Sequence, residues 1–173
     1  MILPDHEIHR LALSGLVTPY DPDLVNPASL DVRLDSVIMH ENREDAKMRR
    51  LDLSEHGFCK ERPFRLMPGQ FILAATVEQF NLPSNLTAQF MLKSSRAREG
   101  LEHLLAGYCD PGWYGSKLTM ELHNSRQLWS LDLWPGMRIG QMIFQYMWQP
   151  PAIDYAACGH YNNDLDVTAS IYQ

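Results

Sequence analysis

Three short stretches of this chain place polar and charged side chains where strand-forming apolar residues surround them, and each suggests a piece of chemistry. In Leu118-Thr-Met-Glu-Leu-His-Asn124, alternation sends Leu118, Met120 and Leu122 one way and Thr119, Glu121 and His123 the other. A carboxyl group in apolar surroundings ionises less readily than in water, which suits a general base or acid working near neutrality. Glu121 is that candidate, set against the plainer reading of a glutamate on a solvated strand face. In Lys93-Ser-Ser-Arg-Ala-Arg98, two hydroxyls and several cations follow a strand end. A helix starting there would add free backbone N–H groups and make an anion site; otherwise the segment is a basic helix start on the surface. In Asp110-Pro-Gly-Trp-Tyr-Gly115, Pro and Gly impose a tight turn that sets an acid beside an aromatic pair. A carboxylate there can accept a hydrogen bond from a sugar hydroxyl, although turn chemistry alone also explains it.

The residues that usually hold metals are poorly arranged for it. Cys59, Cys109 and Cys158 lie far apart, form no Cys-x-x-Cys pair and are odd in number. That opposes a zinc knuckle and a disulfide framework, and the three read as free thiols of a reducing compartment. His6 and His9 flank Glu7, but no His-Glu-x-x-His spacing exists, so they read as the surface of a first helix.

Elements must position these stretches. A helix is expected from Asp5 to Leu13, with Asp5 as N-cap, Ile8, Leu11 and Ala12 on one face, and Ser14-Gly15 as the stop. Leu30, Val32 and Leu34 alternate with Asp31, Arg33 and Asp35 as in a half-buried strand, and the charged run His40 to Arg50 reads as an exposed loop. Further strands are expected at 64–66, 71–77, 86–92, 117–123, 128–133 and 138–148, with a short helix from Ser94, its cap, to Gly100. Pro68-Gly69 reads as a hairpin-like turn. Leu66-Met-Pro-Gly-Gln-Phe-Ile-Leu resembles Leu133-Trp-Pro-Gly-Met-Arg-Ile-Gly, which fits a doubled β-roll. Many short strands with one or two helices point to a β-barrel or jelly roll.

Length and charge narrow the partners. At 173 residues, the chain is expected to be one domain, 1–173. A net charge of −6 opposes a surface for polymeric nucleic acid, while leaving room for a local cationic pocket that takes a nucleotide. The longest largely apolar run, Phe71 to Val77, falls far short of the roughly 20 residues that span a bilayer. The N-terminus lacks the pattern of a signal peptide, so a soluble, cytoplasmic protein without a membrane partner is expected.

Taken in order, Lys-Ser-Ser-x-Ala-Arg-x-Gly-Leu, Asp-Pro-Gly-Trp-x-Gly, Leu-Thr-Met-Glu-Leu-His-Asn and Leu-Trp-Pro-Gly-Met-Arg-Ile-Gly-Gln resemble the dCTP deaminase family, part of the trimeric dUTPase-like superfamily. Asn26-Pro-Ala-Ser-Leu-Asp-Val-Arg-Leu34 resembles the early strand motif of that family. The resemblance implies a mainly β fold, a dUTPase-like distorted β-barrel or jelly roll (β-clip) with one or two short helices. It implies hydrolytic removal of the 4-amino group of dCTP, giving dUTP and ammonia, without zinc. The His-x-Glu and Pro-Cys-x-x-Cys signature of the zinc deaminases is indeed missing. By the same resemblance Glu121 is the general base, and Ser94 and Arg98 hold the pyrimidine and water and stabilise charge. Lys93 and Ser95 would contact phosphates, Asp110 the sugar 3′-hydroxyl, and Ala106 the base edge. Trp113, Thr119 and Met120 join the substrate-binding set, with Tyr155, His160 and Asp164 from a tail, about 152–173, that closes over the nucleotide. Family members are homotrimers with sites between subunits; Mg²⁺ rides on the triphosphate, and dTTP is the candidate inhibitor.

The departures from the family pattern concern charge and spacing. Lys93, Tyr108, His160 and Asp164 stand where Arg, Arg, Lys and Gln are expected, so phosphate recognition is altered and a shifted deoxycytidine nucleotide preference is one reading. The segment after Gly100 is one residue short and that between Gly115 and Glu121 one residue long, which calls for a bulge. The alternatives are a bifunctional enzyme that carries dUTP on to dUMP through Asp110, and a catalytically silent nucleotide-sensing trimer. A pure dUTPase leaves Glu121 without a purpose and lacks its Gly-rich tail, since only Gly159 occurs after Cys158.

Overall fold

The structure, a computed structural model, describes residues 1–42 and 44–171; Arg43 of the expected loop and Tyr172 and Gln173 of the expected tail lie outside them. Along the chain come α1 (Asp5–Leu13), β1 (Val17–Thr18), β2 (Val25–Asn26), β3 (Ser29–Glu41) and β4 (Met48–Asp52). These are followed by β5 (Phe64–Leu66), β6 (Phe71–Asn81), β7 (Leu86–Leu92), α2 (Ser94–Glu99), β8 (Leu101–Glu102) and β9 (Tyr108–Cys109). The last are β10 (Tyr114–Asn124), β11 (Leu131–Leu133), β12 (Arg138–Tyr146) and α3 (Tyr155–Cys158). The expected mainly β architecture is present. Its barrel is a distorted one: a curled antiparallel sheet running β8-β10-β6-β3-β12-β7-β9, open at both ends, with β11 and β5 paired apart from it. Among the described residues, no helix is long and apolar enough to cross a membrane.

The long strand β3 makes the curl. Leu30 to Arg33 pair with β12, while Leu34 to His40 pair with β6 across a register shift, so one strand belongs to both halves of the sheet. Leu30, Val32 and Leu34 are buried as their alternation requires. The intervening Asp31 is equally buried rather than half-solvated, because it is ion-paired with Lys93. Phe80, Phe90 and Phe144 fill the centre of the core. Burial of each such side chain contributes about 1.5 to 3 kcal/mol.

Several local expectations change in detail. The helix Asp5–Leu13 forms, but Pro4 occupies the N-cap position and Asp5 sits in the first turn, accepting from the His6 N–H at 2.7 Å. Likewise Lys93, not Ser94, precedes α2, since its extended backbone gives the carbonyl that takes the first helical bonds. His6 is exposed, whereas His9 is half-buried and bonded to Tyr20. The run His40 to Arg50 is not simply a loop: His40 pairs with Arg49 and Glu41 with Met48, making it the tip of the β3–β4 hairpin. The Pro68-Gly69 turn does not join a hairpin either. It carries the chain from β5, paired with β11, to β6, paired with β3 and β10. The two similar Pro-Gly segments are nonetheless neighbours, with Leu66 opposite Leu131 and Phe64 opposite Leu133. Each turn needs its glycine for conformation alone, since φ is +72° at Gly69 and +80° at Gly136 with open space around both.

Candidate functional site

The site is built on β10. Met120 and Leu122 point into the core, so Thr119 and Glu121 face the other way, across a cavity of about 470 Å³. On that face Glu121 stands opposite Leu73 of β6, and Thr119 opposite Ala75. Leu73 and Phe71, with Met48 from β4, line the same cavity, and the Glu121 carboxyl is half-buried among them. Burial raises its pKa above the ordinary carboxylate value, partly offset by a backbone hydrogen bond and the nearby His103 charge. The β10–β6 pairing is irregular where Tyr114 pairs with Asn81 and Ser116 with Phe80, leaving Gly115 bulged at φ +68°. A second irregularity follows at Leu118, whose N–H donates to Thr76 Oγ1 at 3.0 Å; Leu118 and Thr119 both reach the cavity.

The Asp110-Pro-Gly turn brings Asp110 and Trp113 to the same cavity. Asp110 is exposed at its rim and lines the cavity with Gly107, Tyr108 and Trp113. Cys109 lies buried behind them, and desolvation pushes its thiol pKa up, so it is a packing residue and not a nucleophile. Trp113 is largely a core residue, stacked on Phe80 with ring centroids 5.9 Å apart. The C-terminal segment is laced to this turn. The Tyr155 N–H donates to the Pro111 carbonyl at 2.8 Å, Trp113 Nε1 to that of Tyr161 at 3.1 Å, and the Lys117 N–H to that of Asp164 at 2.8 Å. Gly112 permits the close approach, since a Cβ there would come 2.8 Å from Asp154 Cγ. Farther along, Val167 packs on Val37, Leu73 and Ala75, and the Thr168 N–H donates to Thr119 Oγ1 at 3.2 Å. Tyr155 and Asp164 therefore line the cavity, whereas His160 is exposed away from it.

Not every residue singled out in the sequence reaches this cavity. Ser94, Ser95 and Arg98 are exposed on α2, outside the lining, and Lys93 is held by Asp31. Ala106 is exposed beside Gly107, its carbonyl accepting from His103 Nδ1 at 2.9 Å. Met120 has its side chain in the core, so the cavity is offered only its backbone. The basic run is thus less of a free cationic patch than its composition suggests: Arg96 pairs with Glu99 at 3.0 Å and stacks over Trp134. Among the described lining residues, the carboxyl groups of Asp110, Glu121 and Asp164 face a single Lys or Arg, Lys117, which is paired with Asp35 at 2.6 Å.

A family model described as dCTP deaminase-like matches residues 2–147. The chain belongs to the dCTP deaminase-like family. A "dCTP deaminase, dUMP-forming" of Corynebacterium efficiens is 38% identical over 166 residues, covering 91% of this chain and 85% of the relative. Proteins of the same description from Mycolicibacterium vanbaalenii and Acidothermus cellulolyticus are 39% identical over 166 residues and 41% over 151, covering 91% and 82% of this chain and 86% and 78% of theirs. In fold, the chain is similar to the crystal structure of a 2′-deoxycytidine 5′-triphosphate deaminase from Agrobacterium tumefaciens, with a TM-score of 0.67 at 23% identity. That likeness covers 84% of this chain and 47% of the other, so the chain spans about half of that protein's length.

Within this family setting, two groups that sequence reasoning passed over come forward. His103 is buried, packs edge-on against Phe90 at 5.2 Å between ring centroids, and places its charge within influence of Glu121. No periodic pattern marks it. Lys117 could have been found, since it precedes Thr119 and Glu121 by two and four residues on one strand. Among the described residues, no group of three or more His, Cys, Asp or Glu side chains could hold a metal ion.

Proposed function

We propose that this protein converts dCTP to dUMP by two hydrolytic steps at one site. The first adds water to C4 of the cytosine and expels ammonia, giving dUTP; the second adds water at the α-phosphate and expels pyrophosphate. The observation that carries the reading is Glu121, whose burial-raised carboxyl lines the same cavity as the exposed Asp110. Dehydrated carboxyl groups suit proton transfer near neutrality, and such groups contribute about 10²- to 10⁴-fold. Glu121 takes the proton of the attacking water and returns a proton to the departing amine. Asp110 accepts from the sugar hydroxyl, and in the second step its carboxylate takes the proton of the water that attacks the α-phosphate. The relatives described as dUMP-forming favour this sequence over release of dUTP as the end product.

Among the described lining residues one copy offers a triphosphate only Lys117, already paired with Asp35, which supports a site completed by a neighbouring copy in a homotrimer. Ser94, Ser95 and Arg98, exposed on α2, are the groups such a neighbour would present. Ser94 and Arg98 would hold the pyrimidine and stabilise charge at C4. The C-terminal segment from Tyr155 to Ser170 walls the nucleotide on its other side. With no carboxylate cluster among the described residues to take a metal, Mg²⁺ would be held by the phosphate oxygens, where it would neutralise their charge.

Incubation with dCTP and Mg²⁺, with ammonia, dUTP, dUMP and pyrophosphate measured together, tests the proposal. Equal yields of ammonia, dUMP and pyrophosphate are expected. Ammonia with accumulating dUTP would reduce the enzyme to its first step, and tight nucleotide binding without ammonia would make it a sensor.

A further inference from the structure

Asp31 is not among the residues lining the cavity, yet three other parts of the chain converge on it. It is 1% exposed on β3, opposite Gln141 of β12. Both of its oxygens accept from Lys93 Nζ, at 2.6 and 2.5 Å, and one accepts from Asn26 Nδ2 at 2.8 Å. Arg138 from β12 adds a second cation at 3.6 Å. A buried carboxylate is tolerated only with such partners, and a Lys ammonium bonded through both oxygens is no longer free to follow a ligand.

The consequence falls on α2. This helix has six residues and buries none of them fully; Arg96 lies over Trp134, but little apolar surface fixes the helix on the sheet. Short helices without tertiary packing are marginal. Its ends are tied instead. At the C-terminal end, Ser125 Oγ donates to the Gly100 carbonyl at 2.7 Å, and Arg126 Nη1 to that of Glu99 at 3.1 Å. At the N-terminal end stands Lys93, whose carbonyl accepts from the Arg96 and Ala97 N–H groups at 2.9 and 3.1 Å, while its side chain runs to Asp31.

We infer that Asp31 is the positioning residue for the catalytic helix: through Lys93 it fixes where Ser94 and Arg98 are presented, and Lys93 is the tether of that helix rather than a ligand of the phosphates. The inference rests on the proposed site between copies, with α2 supplied by one copy and Glu121 by the next. It replaces the phosphate contact that the family resemblance implied for Lys93.

Subunit mixing tests it. Chains carrying S94A, D31N or E121Q, differently tagged, are co-expressed in pairs and the mixed assemblies isolated. Each variant alone should lose at least tenfold in kcat for ammonia release. The S94A with E121Q mixture should recover activity, because some sites then combine an intact α2 with an intact Glu121. D31N should recover with E121Q and stay silent with S94A, since it damages the same half-site as S94A. Silence of D31N with E121Q, where S94A with E121Q recovers, would overturn the inference. Failure of S94A with E121Q would instead remove the between-copy reading, and Asp31 would then be judged on Lys93 alone. For that, and in case D31N does not fold, K93M is the second variant, altering a side chain that is 29% exposed. A tenfold fall in kcat with KM for dCTP held within twofold supports the tether. A tenfold rise in KM with kcat unchanged would show Lys93 on the phosphates and refute it.

Discussion

Glu121→Gln separates the two proposed steps and tests the reason for the site's placement. The substitution keeps the volume and removes the group that accepts the proton of water. General-base contributions of 10² to 10⁴ correspond to about 3 to 5 kcal/mol of transition-state stabilisation at 1.36 kcal/mol per decade. Ammonia release from dCTP should fall by that factor, while Kd for dCTP, measured by calorimetry, changes less than threefold. Pyrophosphate release from supplied dUTP should persist, because the second step is assigned to Asp110 and not to Glu121. Stability adds an independent check. Since the Glu121 carboxyl has a raised pKa in the folded protein, folding favours its protonated form. The wild type therefore loses stability as pH rises from the ordinary carboxylate value of 4.5 through the folded value, and the Glu121→Gln variant is spared that loss. Tm of the variant relative to wild type should climb across that interval and level off above it. The acid limb of wild-type kcat/KM for deamination should lie above 4.5, where the base becomes ionised. Ammonia release retained above a tenth of wild type would refute Glu121 as the base. Equal loss of both activities would refute the division of labour.

Asp110→Asn should abolish pyrophosphate release from dUTP by at least about 10²-fold, measured by a coupled phosphate assay, while ammonia release survives with a raised KM. Phe144→Ala, at a fully buried position packed near Phe80, should cost about 3 to 5 kcal/mol in urea unfolding without altering the residues of the cavity. Gly115→Ala meets both a φ of +68° and the side chain of Asn163, so it should loosen the C-terminal segment. Faster proteolytic cleavage after Tyr155 and a higher KM for dCTP are the readouts.

How much of this was legible in the sequence depended on whether the signal was local. Period-two alternation placed Leu30, Val32 and Leu34 in the core and separated Met120 from Glu121, because a strand imposes that geometry on its own residues. Turn chemistry found Pro68-Gly69 and Pro135-Gly136, yet it could not say which strands they join, since Leu66 of β5 pairs with Leu131, far along the chain. The burial of Asp31 was invisible because its partner Lys93 lies 62 residues away. The lining of the cavity by Phe71, Leu73 and the end of the C-terminal segment is likewise a product of the curl of the sheet, which no window of sequence contains. The bulge at Gly115 is also a matter of how β10 pairs with β6.

The distribution of charge now explains the orientation a nucleotide should take. The protein carries a net charge of −6, and the acids within the cavity are not balanced by its one, already paired, lysine among the described lining residues. A triphosphate placed deep in the cavity would meet Glu121 and Asp164, in surroundings where like charges repel strongly. A neutral pyrimidine meets no such penalty and gains from Leu73, Phe71 and Leu118. Under the proposed function the base would lie inward, where Glu121 and the Arg98 of a neighbouring α2 meet C4, and the phosphates would lie outward with the Mg²⁺ they carry. The acids of the cavity would then favour the pose in which C4 meets Glu121 and the α-phosphate meets the rim.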